Sequence, residues 1–350
     1  MLHERLSGKT MLQHAVTRRT LLKMAGAGAG LASIGSVGLA LADPQSDNAI
    51  WLGNPKETNL LGADDLPVVN MPAETPMRVS RSLQTGQIEV WVPRYGLYGH
   101  VPPEVVRPIA APKPADMAGE QPNAPPLIAA VGLPGRVSGG ANLRSWPVVR
   151  DDTVLRLTPH NSPLQVLYRV QGDAGDEWYN VNLLDPTAQK PIATGFIHGD
   201  LVRVPRLRDQ TVSPDRGDDR GRHFQADLQE PAMLAAFENG SPIWCTLALK
   251  GTDANQTPLG AHRILARVAN ETMTSERVSP PIPRNAPGGY YLEGVLYTQY
   301  FSPDGASIHY NYWSHNWGYP GTHGCLGVDL DEAKFAWDFA TVGTPVFIFQ

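Results

Sequence analysis

Cysteine is nearly absent from this chain. Cys245 and Cys325 are the two thiols in 350 residues, which excludes the disulfide framework of a small secreted scaffold and leaves room for a structural zinc site only if histidines complete it. Charge is sparse too: Asp, Glu, Lys and Arg make up 18% of the residues and the net charge is −5. With no long basic run, neither nucleic acid nor an acidic membrane surface is expected as a partner. Apolar runs long enough to cross a bilayer are missing after Leu41. Glycine (34) and proline (32) are plentiful. That balance favours short strands with many turns, in a chain long enough for two or three domains with real cores.

The N-terminus reads apart from the fold. Thr17-Arg18-Arg19-Thr20-Leu21-Leu22-Lys23 precedes a weakly apolar, Gly/Ala-rich run from Met24 to Leu41, which ends in Ala40-Leu41-Ala42 before Asp43-Pro44. A paired arginine, a soft apolar stretch and a small-x-small cleavage site predict a twin-arginine signal peptide over residues 1–42, and with it an extracytoplasmic location, in the periplasm or cell wall. The alternative is an uncleaved anchor, the one route to membrane contact.

Residues 43–107 read as β-rich, loop-like to about Met77 and then alternating (IEVWVPRYGLYGHVPPEVVR). Residues 108–126 (PIAAPKPADMAGEQPNAPP) lack apolar surface to pack and read as a linker. Between 127 and 206 the runs LRSWPVV, VLRL, PLQVLYRVQG, EWYNVNLL and TGFIHGDLVRV have the close spacing of a small β-barrel. Gly96-Leu97-Tyr98-Gly99-His100, leading to Val105-Val106-Arg107, echoes Gly195-Phe196-Ile197-His198-Gly199, leading to Leu201-Val202-Arg203. The echo predicts two related barrel units, the first degenerate, with His100 and His198 in structural roles. On NLRSWP, EWYNV and GFIHGDLV, residues 127–206 resemble a bacterial SH3-like domain, which implies a module accompanying a cell-wall enzyme, either wall-binding or a spacer. Residues 207–222, charged of both signs, mark a second linker. From 223 to 350 a further pattern begins, with strands joined at Asn239-Gly240 and one convincing helix, Leu330–Ala340, for which Asp329 and Glu332 form a capping box.

The stretch GTHGCLGVDLDEA, Gly321 to Ala333, carries the chemistry. An imidazolium beside a thiol and a capped helix N-terminus after it both lower the thiol pKa, and the thiolate is the nucleophile. His323 is the obvious partner of Cys325, because residues i and i+2 of an extended segment share a side. His309 and His315 lie in the same seventeen positions (309–325), interleaved with Tyr310, Trp313 and Trp317, as suits a groove that holds a peptide. From residue types alone, Cys325 stays open between nucleophile, buried apolar filler, half of a disulfide with Cys245, and metal ligand with the three histidines, although that spacing fits no common zinc pattern.

Ile308-His309, Trp313, His315-Asn316, Gly318, Pro320 and Thr322-His323-Gly324-Cys325-Leu326 together resemble the signature of the L,D-transpeptidase (YkuD-type) catalytic domain. Upstream the likeness continues through Phe237-Glu238-Asn239-Gly240, the Thr257-Pro258-x-Gly260 turn and the Tyr297 to His309 strand pair, so that it spans 223–350. The resemblance implies that Cys325 is the nucleophile, His323 its general base and His309 a second site histidine. It also implies a backbone carbonyl at about Tyr310 that orients the base, an oxyanion hole from the Gly324 and Cys325 N–H groups, and Trp313, His315, Thr322 and Gly327 beside the substrate. The implied reaction needs no metal or organic cofactor: Cys325 takes the acyl group of a peptidoglycan stem peptide with loss of D-Ala and passes it to an amine of a second stem. Sensitivity to carbapenem-type β-lactams is implied as well. One departure is Gly327, where the family usually has Asn or Arg.

The expected fold is therefore mainly β: a C-terminal YkuD-like β-sandwich with one late helix, preceded by one or two small SH3-like β-barrels. The expected function is that of an exported L,D-transpeptidase crosslinking peptidoglycan, and so contributing to cell-wall organisation and cell shape. An L,D-carboxypeptidase with water as acceptor, and a non-catalytic wall-binding protein of the same fold, are the alternatives. A papain-like wall hydrolase is disfavoured because its cysteine precedes its histidine.

Overall fold

The computed structural model describes residues 49–62, 65, 67–83, 85–117, 124–207, 221–277 and 280–350. The expected signal, 1–42, lies outside the described residues, as do 208–220 of the second expected linker. Contacts group the chain into two units, the first reaching Gly132 with Ser145–Val149 and Leu167–Asn180 added, the second holding Leu133–Arg144, Arg150–Val166 and Val181–Gln350.

In the first unit, the strands Trp51–Gly53, Thr58–Leu61, Pro67–Met71, Pro76–Ser82, Ile88–Val92, Leu97–Val101 and Arg107–Ile109 form one sheet, in the spatial order third, second, sixth, fifth, fourth, first, seventh. Its core is aliphatic, with Leu52, Leu60, Met77, Val90 and Val101 almost fully buried. Trp91 packs its ring 5.0 Å from Tyr98 and 5.8 Å from Trp146. His100 is buried with its Nε2 2.7 Å from Asp65 Oδ1, as a structural histidine should be. The proline-rich stretch after Arg107 starts as part of this sheet: Trp51 pairs with Ile109, and Pro108 is tolerated because the strand is an edge.

The strands Leu127–Val137, Ala141–Arg144, Val154–Thr158, Pro163–Gln171, Glu177–Leu184, Pro191–His198 and Val202–Arg203 form a second sheet with the same spatial order as the first. The echo noted in the sequence falls at equivalent places: each sixth strand leads through a 3-10 turn, Pro103–Val105 or Gly199–Leu201, into the seventh, which closes against the first.

The C-terminal part of the second unit is two packed sheets. Ser241–Leu247, Met233–Glu238, Arg222–Asp227, Pro345–Phe349 and Gly260–Arg263 make one in that order; Ala266–Thr274, Tyr291–Tyr300, Ser307–Tyr310 and Leu326–Val328 make the other. Met233–Glu238 is apolar at every position but the last, as a strand buried on both faces requires. Leu234 and Ala236 join Phe224, Ile308, Leu326 and Val346 in the core between the sheets; Met233, Ala235 and Phe237 pack on the other side with Cys245 and Trp317. Asn239 and Gly240 both have positive φ, 52° and 81°, as an Asn-Gly hairpin turn demands.

The helix is Leu330–Phe339, one residue shorter than expected, and Asp329 Oδ1 accepts from the Leu330 N–H at 2.7 Å. The capping box is corrected. Glu332 turns into the core, where Arg136 meets its Oε1 at 2.6 Å and Trp244 Nε1 donates to its Oε2 at 2.8 Å. A buried carboxylate needs such partners more than a solvent-exposed helix end needs a second cap. His160 Nε2 donates to the Trp317 carbonyl at 2.7 Å in the loop after Asn311, and Asn161 Oδ1 accepts from the Leu247 N–H at 3.0 Å at the end of the strand Ser241–Leu247.

Candidate active site

Ser307–Tyr310 and Leu326–Val328 run parallel, with Ile308 opposite Leu326, His309 opposite Gly327 and Tyr310 opposite Val328. Extending that register backwards sets Ser307 opposite Cys325. Side chains two apart on a strand share a face, so Ser307 and His309 both reach the thiol. Ser307 Oγ lies 3.5 Å from Cys325 Sγ, and the imidazole of His309 acts on the thiol from the same face.

His309 is 1% exposed and its Nδ1 lies 2.8 Å from the Tyr310 carbonyl oxygen. A carbonyl only accepts, so Nδ1 carries the proton and Nε2 is the nitrogen left for the thiol. Burial favours the neutral ring, but the hydrogen bond to Cys325, the charge of its thiolate and the Tyr310 carbonyl together raise the His309 pKa above its ordinary value. Burial likewise opposes ionisation of Cys325, and the hydrogen bond and charge of His309, with Ser307, more than offset it, so the thiol pKa is lowered. Each group favours the charged form of the other.

His323 is not part of this pair. Its ring lies 5.0 Å from that of Tyr290, and the residue is exposed. The imidazole that meets the thiol is therefore that of His309, and not that of His323 as expected. The reason is local: Gly324 has φ of 104°, so the segment is not extended and the shared side expected for i and i+2 is lost. The expected contribution of the helix N-terminus is corrected too. The strand Leu326–Val328 stands between Cys325 and the cap at Asp329, roughly 13 Å at the usual rise of a strand, whereas a helix terminus acts mainly within its own first turn.

The Gly324 and Cys325 N–H groups have no acceptor among the described residues, and Thr322 Oγ1 holds the turn by donating to the Cys325 carbonyl at 2.7 Å. Unpaired N–H groups beside a nucleophile can receive a developing oxyanion. Thr322 is thus engaged with the backbone. Trp313 stacks on His309, with ring centroids 5.7 Å apart and 26° between planes. His315 packs edge-on against Trp317 at 5.7 Å, and Gly327 faces the side chain of Asn311. Cys245 is 2% exposed, its thiol pushed up to about 12 mainly by burial, and both cysteines are free thiols. Among the described residues no group of three His, Cys, Asp or Glu is placed to hold a metal ion.

Ser307, Tyr290 and Tyr300 were not anticipated. Burial and then the charge of Cys325 push Tyr290 up to about 12; burial and then Glu271, which accepts from the Tyr300 hydroxyl at 3.2 Å, raise Tyr300. Both phenols keep their protons at neutral pH. Ser307 was legible as the residue two before His309; Tyr300, paired with Ser307 across the hairpin, and Tyr290, just before the strand Tyr291–Tyr300, carry no local signal.

Residues 221–348 match the family model of the YkuD L,D-transpeptidase catalytic domain. This segment is similar to YkuD domains. It is 30% identical over 110 residues to L,D-transpeptidase 1 of Mycobacterium tuberculosis (strain H37Rv), an alignment that covers 31% of this chain and 43% of that protein. The chain thus spans less than half the length of the curated relative it matches. Among solved structures, similarity extends to an L,D-transpeptidase from Mycobacterium smegmatis (TM-score 0.36, 18% identity, 50% of this chain and 92% of that one). It extends also to L,D-transpeptidase 3 from Mycobacterium tuberculosis in complex with a faropenem-derived adduct (TM-score 0.35, 14% identity, 64% and 98%). The YkuD segment holds the whole Cys325–His309–Tyr310 arrangement, from the strand that bears His309 to the one that follows Cys325.

Proposed function

We propose that this protein is an exported cysteine-dependent L,D-transpeptidase that crosslinks peptidoglycan stem peptides. The observation that carries the reading is the parallel strand pair that brings His309 to Cys325, with the imidazole tautomer held by the Tyr310 carbonyl. In the first half-reaction, His309 Nε2 takes the thiol proton and Cys325 Sγ attacks the amide carbonyl before the terminal D-Ala of a tetrapeptide stem. The tetrahedral oxygen accepts hydrogen bonds from the Gly324 and Cys325 N–H groups, His309 returns the proton to the departing amine, and D-Ala leaves a thioester. In the second half-reaction an amine of another stem gives its proton to His309 and attacks the thioester, restoring the thiol and forming the crosslink. No metal or cofactor takes part. Export rests on the paired arginines and small-x-small site of residues 1–42, and the SH3-like reading of 127–206 makes the upstream sheets wall-binding or spacer modules.

The test is the intact mass of the mature protein and of Cys325→Ala after incubation with a carbapenem and, separately, with a tetrapeptide stem. An adduct and D-Ala release that vanish in Cys325→Ala, with crosslinked dimers when an acceptor stem is supplied, are expected. D-Ala release without dimers would make water the acceptor. A wild-type protein that stays unmodified while holding a free thiol would remove the enzymatic reading and leave a wall-binding protein.

A further inference from the structure

Gly327 needs an explanation, because its φ lies outside the left-handed region and its backbone does not call for glycine. Space does. A Cβ on Gly327 would lie 3.1 Å from Asn311 Cβ and 3.4 Å from its Oδ1. Asn311 fills that volume with no exposed surface, its N–H donating to the Val328 carbonyl at 2.8 Å and its Nδ2 to the Ser314 carbonyl at 2.8 Å. Its Oδ1 has no partner among the described residues. An unpaired buried acceptor is costly, so an apolar side chain would fill the space better. What the amide adds is the Nδ2 donor, and that donor holds the residue next to Trp313, whose ring stacks on His309.

We propose that Asn311 is a positioning residue of the site, seating Trp313 against His309 through the Ser314 carbonyl, in the volume that Gly327 leaves empty. Trp313 lies along one face of His309 and holds the ring in the orientation in which it offsets the burial of Cys325. Released from Asn311, the loop lets Trp313 lift, His309 loses that orientation, and with its interaction weakened the buried thiol becomes harder to ionise. The other titratable groups around the pair are Tyr290, with His323 on its ring, and Tyr300 with Glu271; none of them belongs to this chain of contacts. The inference rests on Cys325 and His309 as the reactive pair, and its readout requires no peptidoglycan, so it stands or falls apart from the transpeptidase reading.

The experiment is the pH dependence of Cys325 alkylation by iodoacetamide in the full chain, for wild type, Asn311→Ala, Trp313→Leu and the double variant. Asn311→Ala keeps the existing Cβ and removes only the amide, and Trp313 is partly exposed. Both single variants are expected to raise the alkylation midpoint by about one pH unit, a roughly tenfold loss of thiolate below the midpoint. The double variant is expected to go no further than Trp313→Leu alone, because both act through one ring. A midpoint unmoved in Asn311→Ala, or shifts that add in the double variant, would overturn the proposal. Should Asn311→Ala fail to fold, Asn311→Ser gives the same comparison, its hydroxyl being too short to replace the bond to Ser314.

Discussion

His309 and Cys325 meet across a parallel strand pair, whereas His323, two residues from the thiol, turns away against Tyr290. Proximity in the chain and proximity in space point to different imidazoles here. The difference is a single backbone angle at Gly324 together with the register that sets His309 opposite Gly327.

Replacing each histidine separates the two. His309→Ala is expected to lower turnover by about 10²–10⁴-fold, the usual worth of a positioned base. It also leaves burial unopposed, so the alkylation midpoint of Cys325 should rise above the ordinary thiol value of about 8.5. His323→Ala is expected to leave that midpoint in place. A variant of His323 that raised it as much as the His309 variant would overturn the assignment.

The pH behaviour follows from the two opposite shifts. Cys325 has its pKa lowered, so the stabilisation from its ionised form is complete above the unfolded thiol value and is lost as pH falls through the folded one; His309 has its pKa raised, so its charged-form stabilisation is complete below the unfolded imidazole value and is lost as pH rises through the folded one. Alkylation should therefore show a midpoint below about 8.5, and the His309 ring resonances a midpoint above about 6.5. Thiol and imidazole titrating at their ordinary values would mean that the pair is not coupled.

Ser307→Ala removes a long hydrogen bond, 3.5 Å, from the thiolate. A contact worth about 0.5–1 kcal/mol corresponds to roughly half a pKa unit, so a small upward shift of the alkylation midpoint is expected with the fold unchanged. No shift would show the hydroxyl to be a bystander.

Arg136 and Glu332 form a buried ion pair, 3% and 9% exposed at the side chain, which also takes in Trp244 Nε1 and the Cys245 carbonyl. Arg136→Met alone strands a carboxylate in the core and is expected to cost about 3–5 kcal/mol in denaturant unfolding. Arg136→Met with Glu332→Leu should cost less than the single change, since neither charge is then left unpaired. Equal losses in the single and double variants would argue against the pair.

Much of this architecture was legible from periodicity and turn chemistry. Alternation located strands between residues 78 and 107, Asn239-Gly240 marked the hairpin after Met233–Glu238, and Asp329 marked the start of a helix that ends one residue earlier than expected. The Gly-aromatic echo before Arg107 and Arg203 announced two sheets that share a strand order. These features depend on neighbours along the chain, where spacing carries the information. The Thr-His-Gly-Cys segment marked Cys325 as a candidate nucleophile, which residue types alone left open and the family resemblance singled out.

Which groups act on that thiolate was a tertiary matter. Glu332 looked like a cap and became the partner of Arg136, 196 positions away by the numbering. His323 looked like the base and yielded to His309; Gly327 looked like a loss and proved to be the space taken by Asn311. Parallel pairing joins segments through hydrogen bonds that leave no periodic trace in either one, and burial decides which polar side chains must find each other. Both are properties of the packed sheets, and no local stretch of residues contains them.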